Sequence, residues 1–302
     1  MPENKDLIFK DALDARDEIT KRQEREIRKM YNEWAREIRD SANALSKIGD
    51  AQSANQSREL AQLYYQLRSA SKQLTAEINT KVSDNVEYMA NAVANCNKRW
   101  LHSLGFTNTS IDTKFSYAKD LAIRNIITGN VYTNGYSLSY RLWQLDNNTV
   151  KDIYTVVAKG IAQNKSIYEI SKMLEKYVRP TARLPYQIGV HSQVTDYNAQ
   201  RLARTLIQHT YQQTLVALTK DNPFVKGYIW HADGPHSCEL CDERDGQFFT
   251  AEDLPLDHPN GMCSMEPYID TSEVINIASD WQLNPDLIQD YFKDLDFRPS
   301  FD

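Results

Sequence analysis

Apolar residues recur at threes and fours over most of this chain, the period of helices that bury one face. From about Lys5 to Ile48 there is neither proline nor glycine, and Ile27, Tyr31, Trp34, Ile38, Ala42, Leu45 and Ile48 trace one stripe. Beyond Gly49-Asp50 a second stripe runs through Leu60, Leu63, Leu67, Ala70, Leu74, Ile78, Val82, Val86, Met89 and Val93. Two such runs with a short break between them predict an antiparallel helical hairpin over residues 1–100, with a coiled-coil-like seam. A stripe so narrow on helices so long predicts projection from the body. The residues off the stripe, Lys21, Arg22, Glu24, Arg25, Glu26, Arg28 and Lys29, mix both signs and read as a solvated face. Cys96, near the end of the second run, reads as a small buried residue.

The pattern breaks at LHSLGFTNTSIDT, residues 101–113, and then shortens. Helices are expected over Lys114–Ile127, Leu138–Leu145, Val150–Gln163 and Ile167–Val178, a helical body spanning 101–185. Ser166 and Glu169 form an S-x-x-E capping box that opens the last of them, and Pro180 and Pro185 close it. From about Val190 to Lys220 a longer helix carries Val194, Tyr197, Leu202, Leu206, Leu215 and Leu218 on its apolar side, with Arg201 and Arg204 beside it. Phe224–His231 alternates like a strand, and Gln247–Thr250 is a candidate partner for it. Residues 186–267 therefore read as a helix plus a β-ribbon. The segment 268–302 interleaves acids with Trp281, Tyr291, Phe292, Phe297 and Phe301; it suits either a disordered, partner-anchoring tail or a helix packed on the body. The fold class expected is mainly α: a long N-terminal helical hairpin, a helical middle body and a small zinc-stapled α+β unit near the C-terminus.

Composition supports the helical reading, since glycine is only 10 of 302 residues, about half its usual share. The formal net charge is −6, and residues 268–302 hold eight acidic groups against Lys293 and Arg298, so the remainder is near neutral. That balance argues against a protein whose task is coating duplex DNA, which calls for a basic face. The first residues are charged with no apolar core of a secretory leader, and no run approaches the roughly 18 apolar residues that span a bilayer. The expectation is a chain made in a reducing cytoplasm, with no membrane partner.

The candidate chemistry is concentrated between Trp230 and Pro267, which holds three of the four cysteines. Cys238 and Cys241 form a C-x2-C knuckle, and after sixteen intervening residues His258 opens an H-x4-C that ends at Cys263. A C-x2-C turn aims two thiolates at one centre and a second arm completes the tetrahedron, so Cys238, Cys241, His258 and Cys263 are the expected metal ligands. Zinc, in a structural role, suits thiolate and imidazole, and four protein ligands leave no position open for catalysis. The alternatives are a disulfide or unliganded thiols. His231 and His236 flank the knuckle as competing ligands.

With these features in order, the chain resembles the minor head proteins of tailed bacteriophages, the phage Mu F-like head morphogenesis family. The resemblance is carried by AQRLARTLIQHTYQQT at 199–214, with its Ala203-Arg204-Thr205 core, then the strand ending at Trp230, Cys238-x2-Cys241, Asp245-Gly246, Pro255, His258-Pro259-Asn260, Cys263 and Pro267. NGYSLSYRLW and GIAQNKSIYEISKML, upstream within 135–178, are similar to the family's helical part. The resemblance covers about 135–267. It departs where the family has Glu after Arg-Thr, here Leu206, and where it has a further cysteine, here Gly261.

The resemblance implies a non-enzymatic component of the phage head, assembled in the host bacterial cytoplasm and located in the virion. Its implied partners are the portal protein and capsid or scaffolding proteins, with packaged DNA as a further contact. Arg201 and Arg204 are candidates for partner or phosphate contact, against the ordinary reading of pairing with a carboxylate. Two other readings compete. A treble-clef nuclease of the HNH kind would use His258 as general base, but no histidine follows it to hold a catalytic metal. A toxin or effector carrying this domain would need a separate catalytic unit.

Overall fold

The computed structural model describes residues 5–46, 53–103, 109–163, 165–178, 195–220, 222, 225–234 and 237–269. The acidic segment 270–302, Pro180, Pro185, Val194 and His236 lie outside them, as do the side chains of Ile38, Ala42, Leu45 and Leu60. Within the described residues the protein is mainly helical, with one three-stranded sheet near the C-terminal end.

Helices α1 (Lys5–Ser46) and α2 (Ser53–Ser103) form the expected antiparallel pair. Phe9 meets Trp100 with ring centroids 6.1 Å apart, Asp11 pairs with Arg99 at 2.6 Å, and Gln23 accepts from Asn85. The stripe read from the sequence is buried wherever its side chains are described: Ile27, Tyr31 and Trp34 on α1, and Leu63, Leu67 and Leu74 through Val93 on α2, with Ala70 partly so. It also continues toward the N-terminus through Phe9, Ala12 and Ile19, a stretch hidden in the sequence because Arg16 and Gln23 occupy stripe positions and are themselves buried.

The hairpin does not project. α1 packs along α5 (Ile167–Val178) and α6 (Thr195–Thr219), while α2 packs along α3 (Thr109–Thr128), α4 (Leu138–Ala162) and α6. One apolar cluster joins Ile27, Tyr31 and Trp34 to Leu74, Leu142, Ile153, Leu174 and Leu206. A second joins Phe9, Ala12 and Ile19 to Met89, Trp100, Leu215, Trp230, Cys241, Cys263 and Met265. The seam looked narrow because its second flank is closed by polar side chains, described below.

The helices expected at 138–145 and 150–163 are one element, α4. Asp146-Asn147-Asn148-Thr149 favours caps and turns, but none of the four is Gly or Pro. Thr149 is buried and bonds back to the Leu145 carbonyl at 2.9 Å, and Asp146 accepts from Ser71 of α2 at 2.6 Å. Gly129, at φ +88°, makes the turn before α4; a side chain there would strike the Tyr136 carbonyl. The capping box of α5 is present: Ser166 N donates to Glu169 Oε2 at 2.9 Å, and Glu169 N to Ser166 Oγ at 3.3 Å. Those bonds hold the Glu169 carboxyl below its usual range.

The sheet has the order β2-β1-β3. β1 (Val225–His231) is central and pairs antiparallel with β2 (Phe248–Phe249) and β3 (Ser264–Ile269). β3 was not foreseen, because Pro267 reads as punctuation. It is tolerated because β3 lies at the sheet edge and needs ladder donors on one side only. Gly227 of β1 lies directly beneath the Phe248 ring, leaving no room for a side chain. Among the described residues no helix is long and apolar enough to cross a membrane.

Candidate metal centre

β1 feeds directly into the site. Its end is closed into a loop by Gly246 N to Trp230 O at 2.8 Å and Trp230 N to Gln247 O at 3.0 Å, with Gly246 at φ +72° supplying the turn. Inside this loop Cys238 is the N-cap of the one-and-a-half-turn helix α7 (Glu239–Arg244), and Cys241 lies three residues on, over the same face. The second arm, 255–263, turns back at Asn260 (φ +72°), with Gly261 N bonded to His258 O at 2.8 Å, and runs into β3.

These two arms bring the expected ligands together. The ligand atoms of Cys238, Cys241 and His258 lie within 4.8 Å of one another, and so do those of Cys241, Asp257 and Cys263, with Cys241 the shared corner. Cys241 and Cys263 are buried, Cys238 and His258 half-buried. All three thiols are free, so the disulfide alternative is not what the structure contains. His231 pairs across the sheet with Glu266 at 3.1 Å and is not part of the cluster.

The donor set fits a metal. Burial pushes the Cys241 and Cys263 thiols up, and contact between them adds to this at Cys241. A bound cation reverses that direction. The fully buried Trp230 Nε1 has no hydrogen-bond partner of normal geometry among the described residues; with the Asp233 N–H it stands beside the Cys263 sulfur, where both favour the thiolate. His258 Nδ1 lies 3.1 Å from the Pro259 carbonyl, which must accept, leaving the Nε2 lone pair for a ligand. Metal-bound imidazoles use this arrangement.

Asp257 was not foreseen as part of the site. Its carboxylate is buried and accepts from His258 N at 2.8 Å, Cys263 N at 3.1 Å and Gln208 Nε2 at 3.0 Å. Burial raises its pKa, against the lowering by His258 and these donors. It ties His258 and Cys263, the expected ligands of the second arm, to each other and to α6. It also explains Gly261, since the space for a side chain there is filled by the Asp257 carboxylate. The cysteine that the resemblance would place at 261 has no room.

α6 supplies the rest of the frame. Sequence reading assigned it one apolar side, yet its other side is equally buried: Arg204, Thr205, Gln208, His209 and Gln212 all face inward. Gln212 spans both ends of a segment, bonding the Pro255 carbonyl at 2.5 Å and accepting from Asp257 N at 3.0 Å. Arg204 Nη1 donates to Asn260 Oδ1 at 2.7 Å and Nη2 pairs with Glu24 of α1, so Arg204 is a buried structural cation. Asn260 N donates to Thr205 Oγ1 at 3.0 Å. The readable signal was polar residues recurring at threes and fours on a helix with few exposed-type charges, a period that marks a second buried face as well as a solvated one. Arg201 is half-buried and its Nε has no hydrogen-bond partner among the described residues.

His209 gives a pH prediction. Its Nε2–H donates to the Asp257 carbonyl at 2.8 Å, and Nδ1 accepts from Tyr132 Oη at 3.0 Å, which fixes a neutral ring. Burial lowers its pKa from 6.5 to about 4. The unfolded chain therefore takes up a proton as pH falls from 6.5 to about 4 that the folded chain resists, and stability falls across that window by up to ~3 kcal/mol. Urea unfolding at pH 7.5 and 4.5 should show this extra loss in the wild type relative to His209→Gln; equal losses would contradict it.

No family model, no curated protein and no solved structure matches this chain.

Proposed function

We propose that this chain is a structural minor head protein of a tailed bacteriophage, acting by binding at the portal vertex or capsid interior during head assembly, with a structural zinc held by Cys238, Cys241, His258 and Cys263. The observation that carries this reading is that its two main sequence blocks, 55 residues apart, close on each other. Arg204 and Thr205 of the Ala-Arg-Thr core both bond Asn260 of the His-Pro-Asn arm. The resemblance is therefore supported as one packed unit rather than a set of separate short motifs.

The set of donors supports a structural rather than a catalytic centre. Three thiols and one imidazole fill a tetrahedron, and zinc so held supplies cross-linking of two loop arms and no reactive position. The nuclease alternative needs a free His258 as general base, whereas His258 lies among the thiols of Cys238 and Cys241. A binding role also suits a body in which the conspicuous buried charges, Arg16, Arg204 and Asp257, are all engaged internally.

Quantitative mass spectrometry of gradient-purified heads from the producing host tests the proposal. A low and reproducible number of copies per portal ring is expected. Absence of the chain from particles would overturn it, and metal-dependent DNA cleavage lost in His258→Ala would establish the alternative.

A further inference from the structure

Arg16 is the most unusual residue outside the ligand set. It sits on α1 in line with Phe9, Ala12, Ile19 and Ile27, at a seam position where an apolar side chain is the ordinary choice, and it is 5% exposed. A guanidinium always carries its charge, and taking it out of water is strongly unfavourable unless acceptors are already in place. Its Nε and Nη2 reach Asp17 Oδ1 at 3.0 Å, on the same helix. Its Nη1 reaches across to the metal loop: the Met262 carbonyl at 3.0 Å, the Cys263 carbonyl at 3.0 Å and Gln208 Oε1 at 3.1 Å. The Tyr211 ring lies 5.6 Å from the guanidinium carbon.

Two of these acceptors, the Met262 and Cys263 carbonyls, are in place only while the second arm is closed. The Cys263 carbonyl belongs to an expected ligand, and Gln208, which accepts from Arg16, donates to Asp257 and to that same carbonyl. A second tie of the same kind runs from Glu24 of α1 through Arg204 to Asn260. The apolar contacts follow the same division. Phe9, Ala12 and Ile19 pack in the cluster that contains Cys241, Cys263 and Trp230, whereas Ile27, Tyr31 and Trp34 pack in the other, away from the metal arms.

We propose that the metal centre is a latch for the first half of α1: closing the 255–263 arm on the metal creates the acceptors that let Arg16 be buried, so metal binding and docking of residues 5–24 are thermodynamically linked. The inference rests on the metal reading and adds a regulated element to it. With the arm open, the buried guanidinium loses the Met262 and Cys263 carbonyls and keeps only Gln208 of α6 across the seam, and the segment bearing it is the one that must move to rehydrate it. Linkage is reciprocal, so whatever displaces this half of α1 also weakens metal binding.

Hydrogen exchange read by mass spectrometry on the full chain, loaded with zinc and then stripped with a chelator, tests the latch. Peptides from 237–263 and from 5–24 are expected to lose protection together on stripping, on the order of tenfold or more, while those covering 27–35 keep theirs. Loss confined to 237–263 overturns the latch and leaves the metal reading standing. No change in 237–263, or no zinc taken up, overturns the metal reading and the latch with it. Arg16→Met removes the charge that demands the acceptors while filling the seam, and such replacements of buried charge are often tolerated. In that variant residues 5–24 should remain protected after stripping; if they loosen as in the wild type, Arg16 is not the link. Should the variant fail to fold, the wild-type comparison of 5–24 with 27–35 decides alone.

Discussion

Gly261→Ala is expected to destabilise the protein by about 3 kcal/mol or more and to weaken metal binding by about ten- to a hundredfold. The backbone of Gly261 requires no glycine for its own sake. The added methyl would fall on the Asp257 carboxylate, which cannot retreat. That carboxylate is held from three directions by His258 N, Cys263 N and Gln208 Nε2, and its own backbone is held by Gln212 and His209. Relief must come from opening the 257–263 turn, which moves His258 and Cys263 apart. Urea unfolding and competition with a chromogenic chelator measure the two effects. Combining it with Asp257→Ala makes the argument specific: in that background the same substitution should cost much less, because the clash is gone. Equal cost in both backgrounds would show that Gly261 matters for another reason.

Cys241→Ser is expected to have the largest effect of any single ligand change. Cys241 is the corner common to both groups of donors, is fully buried, and packs in the cluster with Trp230, Met265 and Leu215. Structural zinc contributes roughly 10–16 kcal/mol in small metal-dependent domains. The sheet here is three strands, one of them two residues long, and could not replace that contribution. Limited proteolysis of the variant should therefore cut within 225–269, while α2 and the Ile27–Trp34 half of α1 resist. Cys238→Ser should act in the same direction more weakly, since Cys238 is only half-buried. A wild-type cleavage pattern in Cys241→Ser would count against a metal centre of any kind.

Much of this architecture was legible in the sequence because it rests on local periodicity. The α1–α2 seam, the capping box of α5, strand β1 and the closeness of Cys238, Cys241 and His258, with Cys263 beside Cys241, follow from spacing alone. What was hidden depends on long-range polar contacts. Arg16 and Gln23 looked like the end of an apolar stripe, yet they continue it, because their partners lie on other elements: Asn85 of α2 for Gln23, and α6 and the metal arm for Arg16. The same blindness made the hairpin seem to project. Only the apolar side of α6 was assigned, yet its polar side is the surface on which the 255–263 arm is built. Arg204 follows its ordinary reading and pairs with a carboxylate, Glu24, while its second bond, to Asn260, was not legible. Asp257 went unassigned because a carboxylate beside a histidine is common, and only its burial and its three donors reveal its place. α4 ran through a polar stretch that should have broken it, because Ser71 and the Leu145 carbonyl satisfy its side chains.

The proposed centre is one metal ion that joins the arm at 238–241 to the arm at 258–263. Native mass spectrometry of the purified full chain, with elemental analysis of the same sample, measures this directly. One zinc per chain is expected, lost in Cys241→Ser and retained in His231→Ala. A chain that is folded, monodisperse and free of metal after preparation in zinc-containing buffer would contradict it.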